Sequence, residues 1–416
     1  MRTRTCLSVF AAVLGLASAS ASGPALRHDD LESAPHRYST SQPRDRVTQL
    51  KEALESGKLP LDRTSEKAYL ASLLRELNIP ASSQLWVFST TSLQLRYISP
   101  SNPRAIYFNE DVYLGYIPGG RIELISMDPD LGAILYIFDI PRGEAPVRLE
   151  RSDRCMNCHA SEETGHVPGL ILKSVTPTPS GGSLNAYRVG QTGHHIPLSD
   201  RFGGWHLTGK HGLTKPWADL IGRIVEGKLV RIPNPAGERF NPSKYLVETS
   251  DVLSHLLLEH QAGFANRVAE AAYRARTILF LGADRLTPDQ EREFDAQARI
   301  LVRYALFADE APLPEGGIEG SPAFARDFLA QRKPDRVGRS LRDLDLKKRL
   351  FKHRCSYMIY QPPFQSLPAP LKNRISRRLA SALDEHRPDP EFDYLPREEK
   401  RAIRTILAET APGLLP

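Results

Sequence analysis

The spacing of hydrophobic residues changes along the chain. Apolar residues recur at helical intervals between residues 65 and 77, which predicts a helix there. Short runs rich in Val, Ile, Tyr and Phe follow, separated by turn residues such as Pro118-Gly119-Gly120. The runs cover residues 85–88, 93–98, 105–108, 112–117, 121–126 and 133–138. They predict an antiparallel meander of about five or six strands that ends just before a pair of cysteines.

The segment after the cysteine pair begins with two short strand-like runs around Gly181-Gly182. A loop rich in glycine and histidine follows, and the remainder shows mainly helical spacing. Ser250 is the predicted N-cap of a long helix, and Thr287-Pro288-Asp289 the start of the next. The predicted helices span residues 250–280, 287–307, 341–352, 369–383 and 397–408. The expected fold class is α+β, with an antiparallel meander, then the cysteine motif, then a mainly helical C-terminal half.

The first 23 residues form a segment of a different kind. Arg2 and Arg4 precede an apolar run at 7–16, and small residues at 17–21 offer cleavage sites. This order is typical of a secretory signal peptide, and the run is shorter than a membrane span. No later stretch approaches the ~18 apolar residues that a spanning helix needs, so the sequence predicts no membrane span in the mature chain.

These patterns divide the chain into five parts. A polar segment rich in Ser, Pro and Arg follows the signal peptide, and we expect it to be poorly ordered up to about residue 45. The parts are a signal peptide at 1–23, a polar leader at 24–63, a helix with an antiparallel sheet at 64–150, a segment with the cysteine motif and the Gly/His-rich loop at 151–212, and a mainly helical region at 213–416.

Composition excludes several classes of protein. Of 416 residues, 41% are hydrophobic and 25% charged, the balance of a globular protein. Removal of the signal peptide takes the formal net charge from +6 to about +4. A nucleic-acid partner is not expected, because such a partner requires a concentrated basic face. The mature chain keeps three cysteines, Cys155, Cys158 and Cys355, too few for a disulfide scaffold.

The clearest chemistry lies in Cys155-Met156-Asn157-Cys158-His159. Cys-x-x-Cys-His is the attachment signature of c-type haem. Two thiols three residues apart on one turn of helix can each form a thioether with one vinyl group, and the adjacent histidine becomes the proximal iron ligand. A redox dithiol or half a zinc site are the alternatives, but there is no second cysteine pair to complete a zinc site. We therefore expect one covalently bound haem c.

A proximal histidine usually donates its second ring N–H to a fixed acceptor. Gly165-His166-Val167-Pro168-Gly169 follows His159 at a suitable distance, and its two glycines and proline suit a rigid loop. The carbonyl of Pro168 is the predicted acceptor. The alternative is an ordinary turn.

The sixth iron ligand is not fixed by a local motif. No Met lies between Met156 and Met358, so we expect a histidine in preference to the usual Met. The Gly/His-rich loop offers His194, His195, His206 and His211, of which His195 and His211 are the leading candidates. Each of these histidines alone could equally be a surface or hydrogen-bonding residue, and the cluster could instead bind zinc.

Three further features have a functional and a structural interpretation. His260 falls on the apolar stripe of the 250–280 helix and is either a core residue or a distal haem residue. Cys355 is expected to be a buried free thiol. The basic run at 332–354 is either a solvated helix face or a docking surface for an acidic redox partner.

Four stretches together resemble a family of large, secreted, single-haem cytochrome c domain proteins of bacteria. They are residues 107–116, the Cys-x-x-Cys-His motif with Val167-Pro168-Gly169, the loop at 201–212, and residues 350–360. The likeness covers roughly residues 85 to 410 and implies haem ligation by Cys155, Cys158 and His159. One departure is Phe202-Gly203-Gly204-Trp205-His206, where the family pattern has Trp-Gly-Gly-Trp-Tyr and so requires no histidine at 206.

Two functions from different classes follow. The first is periplasmic or secreted electron transfer with a redox partner protein that the sequence does not identify. The second is a haem enzyme, peroxidase- or oxygenase-like, with an open distal site at which His260 or a loop histidine acts. The length of the chain favours the enzyme, whereas a single haem motif argues against a di-haem peroxidase.

Overall fold

A six-stranded antiparallel sheet organises the first half of the chain. The computed structural model describes residues 27–143, 145–186, 190–214, 216–282 and 286–416, so the predicted signal peptide lies outside the described residues. The strands follow one another in chain order and are β1 Leu85–Val87, β2 Arg104–Phe108, β3 Val112–Tyr116, β4 Ile122–Asp128, β5 Gly132–Phe138 and β6 Glu150–Arg151. The predicted meander is confirmed.

One predicted strand is wrong. The run at 93–98 is not a strand: residues 93–97 form consecutive turns, although apolar and polar side chains alternate along them. The side chain of Gln94 explains the difference, because it bonds to the backbone N–H and C=O of Arg121 at 2.7 and 3.0 Å. The side chain of Gln94 thus holds this segment beside the start of β4, in place of the backbone hydrogen bonds that a strand would make.

The second half is mainly helical, as expected, but its helices differ in detail from the prediction. The helices of the chain are α1 Arg46–Glu55, α2 Glu66–Glu76, α3 Met156–His159, α4 Val252–Leu281, α5 Pro288–Ala305, α6 Pro322–Ala330, α7 Pro362–Gln365, α8 Ala369–Ala382 and α9 Arg397–Thr410. Thr287 caps α5 with a capping box, as its sequence indicated. Asp251, not Ser250, caps α4. The hydroxyl of Ser250 is instead bonded to the carbonyl of His206.

Among the residues that the structure describes, two pairs of strands stand outside the main sheet. They are β7 Val175–Pro177 with β8 Ser183–Ala186, and β9 Leu220–Val225 with β10 Lys228–Pro233. The first pair lies where two short runs were predicted. The second interrupts a region that was expected to be helical, and α1 and α6 were not predicted.

The basic run at 332–354 is not a helix. Carboxylates in the run bond to the backbone N–H groups of nearby residues, and Asp345 alone accepts from Lys347 and Lys348. Such local bonds compete with helix formation. Several of its arginines are paired, including Arg342 with Glu110 and Arg354 with Glu399. Part of the positive charge of the run is therefore neutralised within the structure, and the docking surface for an acidic partner stays a prediction.

The two faces of the main sheet are covered by different parts of the chain. Side chains alternate between faces along each strand. Tyr107, Leu114 and Tyr136 share one hydrophobic core with α1 and α2. Phe108, Tyr113 and Leu135 point to the other side and share a second core with the C-terminal helices. Among the described residues no helix is both long and apolar enough to cross a membrane.

The described part of the leader packs against the sheet. Tyr38 is buried, and its hydroxyl donates to the carbonyl of Ala133 at 2.8 Å. Arg151 donates to the carbonyl of Tyr38 at 2.6 Å and stacks over its ring. Residues 27–45 are thus held by specific contacts, contrary to the expectation of a poorly ordered leader.

Candidate haem-attachment site

The cysteine motif follows the edge strand of the main sheet directly. After β6, the N–H of Ser152 donates to the carbonyl of Leu135 at 2.8 Å, which holds the chain against β5. Cys158 and His159 lie on the short helix α3, which begins one residue after Cys155. Residues three apart on a helical turn share one side. Both thiols of the motif are therefore presented together.

The two motif cysteines have different surroundings. Both are free thiols; Cys155 is half-buried and Cys158 is exposed. Burial raises the pKa of Cys155, while a bond to the hydroxyl of Ser152, at 3.2 Å, opposes this rise. Two unpaired thiols beside a histidine are the donor set that a covalently attached haem needs, so the residues present fit such a group.

His159 is oriented by the backbone of the loop that follows it. Its Nδ1 lies 2.8 Å from the carbonyl oxygen of Gly169, and the N–H of Gly169 donates to the carbonyl of His159 at 2.8 Å. Since a carbonyl only accepts, Nδ1 carries the proton and Nε2 keeps the lone pair. Burial lowers the pKa of His159, which favours this neutral form.

The predicted acceptor was wrong by one residue. The carbonyl of Pro168 accepts instead from the N–H of Ala133 at 3.1 Å, across to β5. Gly169 can act as the acceptor for His159 because, without a side chain, it packs closely against Asn266 and Thr164. A Cβ at Gly169 would lie 2.5 Å from Oδ1 of Asn266 and 3.0 Å from the side chain of Thr164.

Asn266 on α4 fixes the same loop from the other side. Its Nδ2 donates to the carbonyl of Leu170 and its Oδ1 accepts from the N–H of Leu170, both at 2.7 Å. Asn266 and Leu170 are both buried. The amide thus clamps the residue next to Gly169, and through Gly169 it limits the orientation of the His159 ring.

The main sheet contributes charges and apolar side chains next to the motif. Arg104 and Glu123 form an ion pair at 2.8 Å, with side chains 14% and 20% exposed. Both lie on the sheet face that carries the half-buried Ile106 and Ile125. Cys155 and these two isoleucines pack against the same hydrophobic core.

His260 occupies the core, which excludes the distal role considered for it. Its Nδ1 lies 2.8 Å from Nδ1 of His194 and its Nε2 lies 2.8 Å from the hydroxyl of Ser356. Burial, with a smaller contribution from Arg267, lowers the pKa of His260 to about 3. Because both ring nitrogens are engaged within the core, His260 has no nitrogen left for a ligand.

The structure separates His211 from His159 along α4. Gly209 and Lys210 pack against Asp251 and Glu319, at the N-terminal end of α4. Gly169, the partner of His159, packs against Asn266, fifteen positions further along the helix, or roughly 22 Å at 1.5 Å per residue. His211 is therefore not brought to the motif.

The other loop histidines lie in different environments. His195 is half-buried next to Gly193, which closely approaches Gly263, about one turn of α4 from Asn266. His206 is fully buried, with Nδ1 2.7 Å from Oδ1 of Asp219. Across the ranges that the structure describes, no group of three or more His, Cys, Asp or Glu side chains is placed so that it could hold a metal ion.

Cys355 is buried and its pKa is raised to about 12 by that burial, as expected for a structural thiol.

No family model, curated protein or solved structure matches this chain. The resemblance to single-haem secreted proteins therefore stays a prediction that depends on the residues quoted for it.

Proposed function

We propose that the protein is an exported c-type cytochrome with one covalently attached haem, and that it transfers electrons outside the cytoplasm. One observation carries the proposal. Two unpaired thiols, Cys155 and Cys158, stand beside a histidine whose Nδ1 is held 2.8 Å from a backbone carbonyl. A redox dithiol would explain the thiols alone, but it would not require an adjacent imidazole with a fixed tautomer.

The residues around the motif would each have a defined task. When bound, the haem supplies an iron that alternates between the ferric and ferrous states. Cys155 and Cys158 anchor the group, and His159 presents Nε2 as the proximal ligand. The carbonyl of Gly169 would strengthen that ligand by accepting a hydrogen bond from Nδ1–H, and Asn266 holds the carbonyl in place through Leu170.

The replacement of both motif cysteines with Ser tests the attachment. Wild-type protein, produced with its signal peptide in a cell that attaches haem c, should keep a haem stain through denaturing gel electrophoresis, because thioethers are covalent. The Cys155→Ser/Cys158→Ser double variant should lose the stain, whereas Cys355→Ser should keep it, because Cys355 is buried away from the motif. A double variant that still stains would refute the proposal.

A haem enzyme with an open distal site is the second candidate. Two candidate histidines are not placed to become the sixth iron ligand, and this favours an open distal site. His260 is engaged in the core, and His211 lies far along α4 from the motif. A carrier with two protein ligands should be low-spin in the ferric state and bind cyanide or carbon monoxide slowly. A high-spin ferric protein that binds them rapidly would reject the carrier in favour of the enzyme.

A further inference from the structure

A short loop before β2, residues 91–97, is tied to a charged side chain of the main sheet. Nε2 of Gln94 and the hydroxyl of Ser92 both donate to Oε1 of Glu123, the former at 3.0 Å. Gln94 also bonds to the backbone of Arg121 through both amide atoms. It is 7% exposed, so the loop has a buried polar anchor.

The same loop presents two leucines to solvent. Leu93 is 57% exposed and Leu95 is 59% exposed, one on each side of the buried Gln94. The anchor prevents them from turning inward, so the exposure of both is built into the loop. Neighbouring apolar side chains held at a protein surface indicate a binding partner.

The anchor of the loop lies close to the cysteine motif. Glu123 pairs across the sheet with Ile137, and Ile137 pairs with Glu150 in β6. Two strand spacings of about 4.8 Å therefore separate Glu123 from the strand that leads into the motif. Glu123 projects from the same sheet face as Ile125, and both Ile125 and Cys155 pack against the hydrophobic core on that side.

The ion pair between Arg104 and Glu123 also holds the loop. Arg104 also donates to the hydroxyl of Thr91, at 3.4 Å, so both members of the ion pair hold the loop.

We propose that residues 91–97 cover part of a haem attached at Cys155 and Cys158, with Leu93 and Leu95 packed against the porphyrin. This inference rests on the proposed haem attachment. Neither leucine can bind iron, so the loop acts by excluding water. A drier haem favours the ferrous state, which carries less net charge, and the loop therefore raises the reduction potential.

A dye-binding experiment tests the cover. Anilinonaphthalene sulfonate should bind the haem-free Cys155→Ser/Cys158→Ser protein more than the haem-loaded wild type. Adding Leu93→Ser/Leu95→Ser to the haem-free protein should remove most of that difference. Leu281→Ser/Val337→Ser is the matched control, since these side chains are 54% and 73% exposed elsewhere. This control should leave the difference unchanged. Equal dye binding by haem-free and haem-loaded protein would overturn the proposal.

The reduction potential supplies an independent measurement. Haem-loaded Leu93→Ser/Leu95→Ser should keep its covalent haem stain but show a lower midpoint potential than both the wild type and Leu281→Ser/Val337→Ser. An unchanged potential in a stained protein would overturn the loop's role and leave haem attachment standing. A wild type without a haem stain would overturn both.

Discussion

Replacing Asn266 with Leu tests whether this side chain only stabilises the fold or also orients His159, the proposed iron ligand. The substitution keeps a similar volume but removes both hydrogen bonds to Leu170. The N–H and C=O of Leu170 would then lack these partners in a buried environment. An unsatisfied buried polar group costs about 1–3 kcal/mol, so the two together should lower the free energy of unfolding by roughly 2–6 kcal/mol.

A second effect should appear at the iron. Without the clamp, Leu170 and Gly169 lose their fixed position, and the hydrogen bond from Nδ1 of His159 weakens. A less strongly polarised imidazole is a poorer donor to iron. We expect a changed midpoint potential and a lower iron–histidine stretching frequency in the resonance Raman spectrum of the five-coordinate ferrous protein, prepared by photolysis of its carbon monoxide adduct.

Gln84→Leu is the matched control for this experiment. Gln84 is also a buried amide that binds backbone, donating to the carbonyls of Val247 and Thr249 at 2.6 and 2.9 Å. Gln84→Leu should lower the free energy of unfolding in urea by a similar amount, but it should leave the midpoint potential and the iron–histidine frequency unchanged. If Asn266→Leu loses stability yet both haem signals match the wild type, Asn266 is only a packing residue and the clamp argument fails.

Two further predictions concern the histidines. The pKa of His260 is about 3 in the folded chain and ~6.5 when unfolded, so its neutral form stabilises the fold above pH ~6.5 and this contribution is lost as the pH falls towards 3. Urea unfolding of His260→Gln should therefore lose less stability on acidification than wild type, and an equal loss would contradict the assignment. His211→Ala should leave the ferric spectrum unchanged because His211 lies at the far end of α4, and a change of spin state would place it at the iron.

The meander was predictable because its signals are local. Strands β1 to β5 lie in short runs rich in Val, Ile, Leu and aromatic residues, and turn residues such as Pro118-Gly119-Gly120 separate runs; this pattern depends on no distant partner. Residues 93–98 form a similar run, yet residues 93–97 form turns, because the side chain of Gln94 binds the backbone of Arg121, 27 positions away. The composition of a short run alone does not distinguish these two outcomes.

The attachment motif was also local, but its supports were not. The five residues of the motif predict the thiols and the histidine from spacing alone. The ring of His159 is held through Asn266, which lies more than 100 positions further along the chain. The loop at residues 91–97 is held through Glu123. One signal was present: an Asn inside a strongly apolar helix needs a hydrogen-bond partner. The sequence does not say which partner.

His260 illustrates the same limit. Helical spacing correctly placed it on the buried side of α4, but its two partners, His194 and Ser356, are 66 and 96 positions away. Spacing within one helix can predict burial. It cannot predict which groups from other segments complete a buried hydrogen-bond network, and that network is what distinguishes a core histidine from a ligand.

The unequal surroundings of the two motif thiols bear on the order of biogenesis. In the folded chain Cys158 is exposed, whereas Cys155 is half-buried with a raised pKa. For the proposed haem attachment, a chain that folded first would present Cys158 fully but Cys155 only in part. Attachment before β6 docks beside β5 would leave both thiols accessible to the cofactor.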